Sequence, residues 1–265
     1  MIDTHCHLTF PDFSDDRPAG GVAKVLARAA REGVTGCISV STTVPDALNA
    51  QQIARAFPRV WFTAGVHPLY ADKGPHDWPL LGAIASDPRC VAWGEMGLDN
   101  HYADPPRVLQ DQVLEAHLAL IESCDARGLI KPVVIHCREA YAELIDRLRV
   151  STIDPSRFVF HCFTGDESDM RRLLDFGACV SFTGVLTYRN APQVRAAALL
   201  VPDDRFMVET DAPFLSPEPH RGERPCQPWM AAATARRLAE IRGVSFEALV
   251  AQVNTTTRRF FGIEP

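Results

Sequence analysis

Short apolar runs alternate with amphipathic stretches along this chain, and the alternation repeats about eight times. "MIDTHCHLTF" has strand-like content; "GGVAKVLARAARE" has helical spacing and stops at Gly33; "VTGCISVS" returns to a strand. The same exchange recurs through "RVWFTAGVHP", "RCVAWGEMGLD", "KPVVIHCRE", "RFVFHCF", "ACVSFTG" and "RFMVETDAPF", with helical segments between them and two more at the C-terminus. No other feature constrains the fold as strongly, because strand–helix–strand units build parallel pairs joined by right-handed crossovers. Eight units at about 250 residues predict an α/β fold, a (β/α)8 TIM barrel, with residues 1–265 as a single domain. A doubly wound open sheet is the competing architecture. The absence of G-x-G-x-x-G after the first strand argues against it.

Net charge is −6, so no global basic field would hold a nucleic-acid backbone, although a local patch would suffice. The eight cysteines form no C-x-x-C pair, and 46% hydrophobic residues supply a core without disulfide staples. The N-terminus lacks a basic segment followed by an apolar run, and no stretch nears the roughly 18 apolar residues of a membrane span. A cytoplasmic protein with reduced thiols and no membrane partner is expected; the oligomeric state stays open, a monomer included. Cys6, Cys137 and Cys162 each adjoin a histidine and are expected to pack outward behind it.

The ionisable residues fall at corresponding places. On a strand His5 and His7 share one face, because residues two apart do. His67, Glu95, His136 and His161 stand at or near the ends of the third, fourth, fifth and sixth strands, and Glu209 and Asp211 end the eighth. A barrel gathers all these ends on one rim, where active sites are built. Any one of them alone reads as a satisfied core or surface group. Together they would be costly to bury unpaired, and a metal centre removes that cost. His5, His7, Glu95, His136, His161 and Asp211 form a ligand set too large for one open tetrahedral ion. It suits two ions bridged by a carboxylate, with imidazole and carboxylate donors favouring zinc or manganese and allowing magnesium.

"IDTHCHL", "AGVHP", "WGEMGLD", "VVIHCREA", "FVFHCFTGD" and "VETDAPFLSP…HRGE", in this order, resemble the TatD family of metal-dependent hydrolases and deoxyribonucleases, amidohydrolase-like TIM barrels. The resemblance covers essentially the whole chain. It implies that His5, His7 and Asp211 hold one divalent ion (magnesium, manganese or zinc), that His136 and His161 hold a second, and that Glu95 bridges them. It implies nucleic acid as substrate, DNA first, cleaved by a 3′-5′ exodeoxyribonuclease-type reaction. Asp211 has a second role open to it, as general base toward the attacking water, so Asp211 and Glu95 are the catalytic candidates.

Glu209 is expected to orient a histidine ligand through its other ring nitrogen. His67 matches no metal position of the family and is expected to face the substrate. Arg138 and Arg221 are candidate phosphate forks. Tyr102, His101 and Trp229 are candidates for stacking on a base. His117 stands where many relatives have glutamine, Cys226 lies near the place of a usual asparagine, and Thr256 replaces another. These three are expected to shape the substrate side.

Two other readings stay open at this level. One is a metal-dependent hydrolase of carboxylic esters or amides, acyl-tRNA esters included, since the same activated water attacks a carbonyl. The other is a non-catalytic barrel that binds nucleic acid or scaffolds a partner. A complete ligand set argues against the scaffold. The lack of a lysine at any strand end argues against the branch of amidohydrolases bridged by a carbamylated lysine.

Overall fold

Strands β1 (Ile2–Cys6), β2 (Gly36–Ser39), β3 (Val60–Ala64), β4 (Cys90–Asp99), β5 (Val133–Arg138), β6 (Phe158–Phe160), β7 (Cys179–Phe182) and β8 (Phe206–Val208) lie side by side in sequence order, all parallel. The ring closes where β1 meets the segment after β8: the His7 amide donates to the Ala212 carbonyl at 2.7 Å, and the Asp211 amide to the His5 carbonyl at 2.9 Å. The computed structural model describes residues 1–263. It is a (β/α)8 barrel in one domain, as the alternation predicts.

Helices α1 (Val22–Arg31), α2 (Val44–Ala56), α3 (Trp78–Ala85), α4 (Arg107–Asp125), α5 (Tyr141–Arg149), α6 (Glu167–Phe176) and α7 (Pro192–Ala198) fill the crossovers, and α8 (Ala231–Arg242) and α9 (Phe246–Phe261) follow β8. Local chemistry sets several starts and stops. Thr43 caps α2 by accepting from the Asp46 amide, and Asp166 and Asp169 form a reciprocal capping box on α6. Gly177 ends α6 in the left-handed region, at φ 105°.

The barrel interior is layered. Its lower half is an apolar plug that includes Ile2, Ile38, Val134, Val159 and Met207, closed from below by Phe261 and Ile263 at the end of α9. Burying each of those two closing side chains contributes on the order of 2 kcal/mol. The larger apolar cluster, with Phe62, Phe158, Phe182 and Phe206, packs between the strands and the helices. With its base sealed, the barrel is open to ligands at the carboxyl ends of its strands.

Simple alternation carries side chains from the plug to that open end on three strands: Val134 to His136, Val159 to His161, and Met207 to Glu209 and Asp211. On β1 and β4 the interior residues Ile2 and Ala92 are an odd number of positions from His5 and Glu95, so alternation alone would turn these away. Register shifts between Asp3 and Cys6, and between Trp93 and Met96, correct the direction. The glycines of "WGEMG" permit the second shift. Gly94 has φ 109° and a Cβ there would come within 2.4 Å of the Val134 carbonyl oxygen; Gly97 has φ 147° and would meet that of His136 at 1.9 Å.

Candidate metal centre

Glu95 lies at the middle of the open end, fully buried, and its two oxygens face different groups of histidines. Oε1 is 2.6 Å from His161 Nε2, 2.9 Å from His136 Nδ1 and 3.3 Å from His67 Nε2. Oε2 is 3.4 Å from His5 Nε2 and 3.9 Å from His7 Nε2. Asp211 Oδ1 completes the second group, 3.6 Å from His5 Nε2 and 3.3 Å from His7 Nε2. All six residues of the expected ligand set therefore converge on one centre.

Both ring nitrogens of His5 and Oε2 of Glu95 are buried without a hydrogen-bond partner. Orphaned polar atoms of this kind are expensive unless something else coordinates them. Donor atoms of His5, His7 and Asp211 lie close enough together to share one cation, and those of Glu95 and His136 lie equally close on the other side, with His67 beside them. The donor set fits a divalent transition ion or magnesium.

Without metal, the cluster shifts its own protons. Burial would raise the pKa of Glu95, but His161, His67, His5 and His136 outweigh it and hold the carboxyl well below its ordinary range. Burial would lower His161, yet Glu95 and Glu209 raise it well above the usual imidazole value. His136 and His7 are also raised, against burial, by Asp99 with Glu95 and by Asp211 respectively. Such histidines bind cations strongly, and protons and metal ions compete for the same lone pairs.

A ring of supporting groups orients these candidate ligands. His7 Nδ1 donates to the Val40 carbonyl at 3.0 Å, leaving Nε2 for the centre. Nδ1 of His161 lies 3.3 Å from Glu209 Oε1, which also accepts from the Cys162 amide at 2.8 Å; Ser181 donates to Oε2 at 2.6 Å. Glu209 thus sits where the sequence predicts, on the far side of a histidine. His136 Nε2 donates to Asp99 Oδ2 at 2.9 Å, which leaves Nδ1 facing Glu95. Sequence reading missed Asp99. Its signal was its place, at the end of the fourth strand four residues after Glu95. Asp3 lies behind the ligands and accepts from the amide and hydroxyl of Thr210, at 2.9 and 2.6 Å, tying β1 to the residue before Asp211. Asp211 itself has φ 60°, a left-handed conformation that aspartate tolerates better than most residues.

His67 lines the cavity above the centre, and its tautomer separates it from the other histidines. Nδ1 accepts from the Leu69 amide at 3.0 Å, so the ring's single proton is on Nε2, the nitrogen that points inward. Burial lowers its pKa to about 4, keeping the ring neutral. A neutral imidazole with a proton on the inward nitrogen donates a hydrogen bond; it does not ligate through that atom.

The cavity has a volume of about 560 Å³, and its wall includes Tyr102 and Arg138 as well as His7, Glu95, His136, His161 and Asp211. The Arg138 guanidinium lies 5.1 Å from the Tyr102 ring centre. Other expectations are corrected. Arg221 lies outside this cavity: its guanidinium stacks on Tyr188 at 4.2 Å and faces Glu218. Trp229 is a packing residue, covered by Arg28 at 4.2 Å. His101 pairs with Glu139 beside Tyr102. Cys6 packs outward, its thiol donating to the Ile38 carbonyl, but Cys137 and Cys162 both line the cavity, Cys162 with a left-handed φ of 47°. Thr256, on α9, lies beside the Asp203 carbonyl before β8, at the opposite end of the barrel from the substrate side. His117 is buried behind the wall, and Cys226 is a buried residue of the loop after β8, its amide donating to the Pro213 carbonyl.

A family profile described as TatD related DNase matches residues 2–262. The chain belongs to that family. It is 38% identical over 264 residues to the metal-dependent hydrolase YcfH of Escherichia coli K12, covering 100% of this chain and 96% of that protein. It is 32% identical to the 3′-5′ ssDNA/RNA exonuclease TatD of Klebsiella pneumoniae, covering 100% and 98% of the two chains. The crystal structure of YJJV, a TatD homologue from Escherichia coli, superposes with a TM-score of 0.89 at 28% identity, over 100% of this chain and 98% of that one. The protein is a metal-dependent hydrolase of the TatD-related family. Among the described residues no helix is long and apolar enough to cross a membrane.

Proposed function

We propose that this hydrolase cleaves phosphodiester bonds of single-stranded nucleic acid from the 3′ end, with two divalent ions bound side by side. The observation that carries the reading is the division of Glu95, one oxygen toward His136 and His161 and the other toward His5 and His7. His5, His7 and Asp211 would hold one ion and His136 and His161 the other, with Glu95 between them; magnesium, manganese and zinc all suit these donors. When bound, the ions supply Lewis acidity and an acidified water.

The remaining work falls to side chains of this chain. Asp211 lines the cavity with its carboxyl held below the ordinary range by His7 and His5 against burial, so it is ionised and ready to accept the proton of the attacking water. His67 offers its Nε2 proton to a substrate oxygen. Arg138 presents a cation and Tyr102, half exposed, a ring face at the rim, the pairing that holds a phosphate and the base beside it. The described cysteines are all unpaired, which accords with a reducing compartment, and we place the protein in the cytoplasm.

The test is a substrate panel with manganese, magnesium or zinc: single-stranded DNA labelled at either end, RNA, abasic duplex and an acyl ester. Stepwise loss of nucleotides from the 3′ end, abolished in His136→Ala and Asp211→Asn, is the expected result. Turnover of the acyl ester without any phosphodiester cleavage would overturn it.

A further inference from the structure

We infer that His117, on α4 and outside the cavity, is a positioning residue for His67, acting through the peptide of Val66. The His117 side chain is fully buried. Its Nδ1 lies 3.2 Å from the Val113 carbonyl one turn earlier on the helix, so Nδ1 carries the proton and donates. That leaves Nε2 as a lone pair, and the Val66 amide donates to it at 3.1 Å. Trp78 packs edge-on against the ring, with centres 4.8 Å apart, and keeps its plane from turning. Burial lowers the pKa to about 3, which keeps the acceptor free of a second proton.

The segment this bond holds is the turn that delivers His67. Three consecutive amides leave β3 toward three different acceptors. Gly65 donates to Ser41 Oγ at 3.0 Å, Val66 to His117, and His67 to the Thr42 carbonyl at 3.0 Å. Two of these acceptors lie together just after β2; only His117 holds the turn from the side of α4. Remove it, and a buried amide loses its partner, so the turn must rotate to find another. Rotation of that peptide swings His67, whose Nδ1 accepts from Leu69 and whose Nε2 lies 3.1 Å from His136 Nδ1. His117 touches neither the cavity nor a metal donor, so its effect on the reaction passes through this peptide.

The kinetic consequence rests on the phosphodiesterase reading above; the structural consequence does not. We would compare His117→Phe, which keeps the ring and loses the acceptor, with His117→Gln, whose amide oxygen can accept from Val66. His117→Asn keeps the amide but is one methylene too short. In the manganese-loaded protein acting on single-stranded DNA, Phe and Asn should lower kcat about ten- to a hundredfold with KM little changed, and Gln should restore most of it. In the metal-free protein, nitrogen-15 side-chain spectra should show His67 as the Nε2–H form in the wild type and in Gln, and as a tautomer mixture in Phe and Asn. If Phe does not fold, Asn against Gln decides. Equal kcat and an unchanged His67 tautomer in Asn and Gln would overturn the inference. A wild type without phosphodiesterase activity would overturn the functional reading alone, and the spectra would still decide the role of His117.

Discussion

Asp99 accepts a hydrogen bond from Nε2 of His136 at 2.9 Å, and this bond selects which nitrogen of the ring faces Glu95. With the proton held on Nε2 by a carboxylate, Nδ1 keeps its lone pair and gains basicity. Asp99→Asn should therefore weaken metal binding about ten- to a hundredfold, read by titration against a competing chelator, while His5 and His7 keep theirs. Undiminished affinity would remove Asp99 from the site.

Glu209 supports His161 in the same manner but also accepts from the Cys162 amide and the Ser181 hydroxyl. Glu209→Gln keeps the shape and substitutes two amide protons for one lone-pair-bearing oxygen, so at least one donor loses its acceptor. A loss of about 1–3 kcal/mol in the unfolding free energy of the metal-free protein, read by denaturant titration, is expected. A variant as stable as the wild type would mean that water replaces those bonds.

Burial gives His117 a folded-state pKa of about 3, against an ordinary value of 6.5. Its neutral form is bound by the fold, so this contribution is fully present above pH 6.5 and drains away as the pH falls toward 3, where the unfolded chain takes up the proton first. Between pH 7 and pH 5 the loss amounts to about 2 kcal/mol. His117→Gln, which has no titrating group, should lack that part of the acid sensitivity. Parallel stability curves for the two proteins would contradict it.

Arg138 and Arg221 are both arginines near the carboxyl ends of strands, but only Arg138 lines the cavity. Arg138→Gln should raise KM for single-stranded DNA about tenfold with a smaller change in kcat, as loss of a charge-assisted phosphate contact does. Arg221→Gln should behave as the wild type in the same assay, since its guanidinium is engaged with Tyr188. A larger effect at Arg221 would show that the loop after β8 reaches the substrate by another route.

Much of this was legible before any fold was known. The repeat of strand and helix specifies a parallel barrel, and a parallel barrel necessarily collects its strand ends, so His136 and His161, in phase with the interior residues of their strands, had to meet. What escaped were residues whose role depends on a partner distant in the chain. Asp99 reads as one more acidic residue until His136 lies beside it. Arg221 reads as well placed until Tyr188 takes its guanidinium.

Strand order, the open end and the donor types follow from the sequence, because they depend on periodicity and on residue chemistry, both local. Direction and tautomer do not. His5 and Glu95 stand out of phase with the interior residues of their own strands, and only the register shifts in β1 and β4 turn them inward. Likewise His67 is one histidine among several in the sequence, and a backbone amide at 3.0 Å makes it a donor where its neighbours are candidate ligands. A hydrogen bond to one ring nitrogen settles what the other can do, and such bonds exist only once the chain has folded.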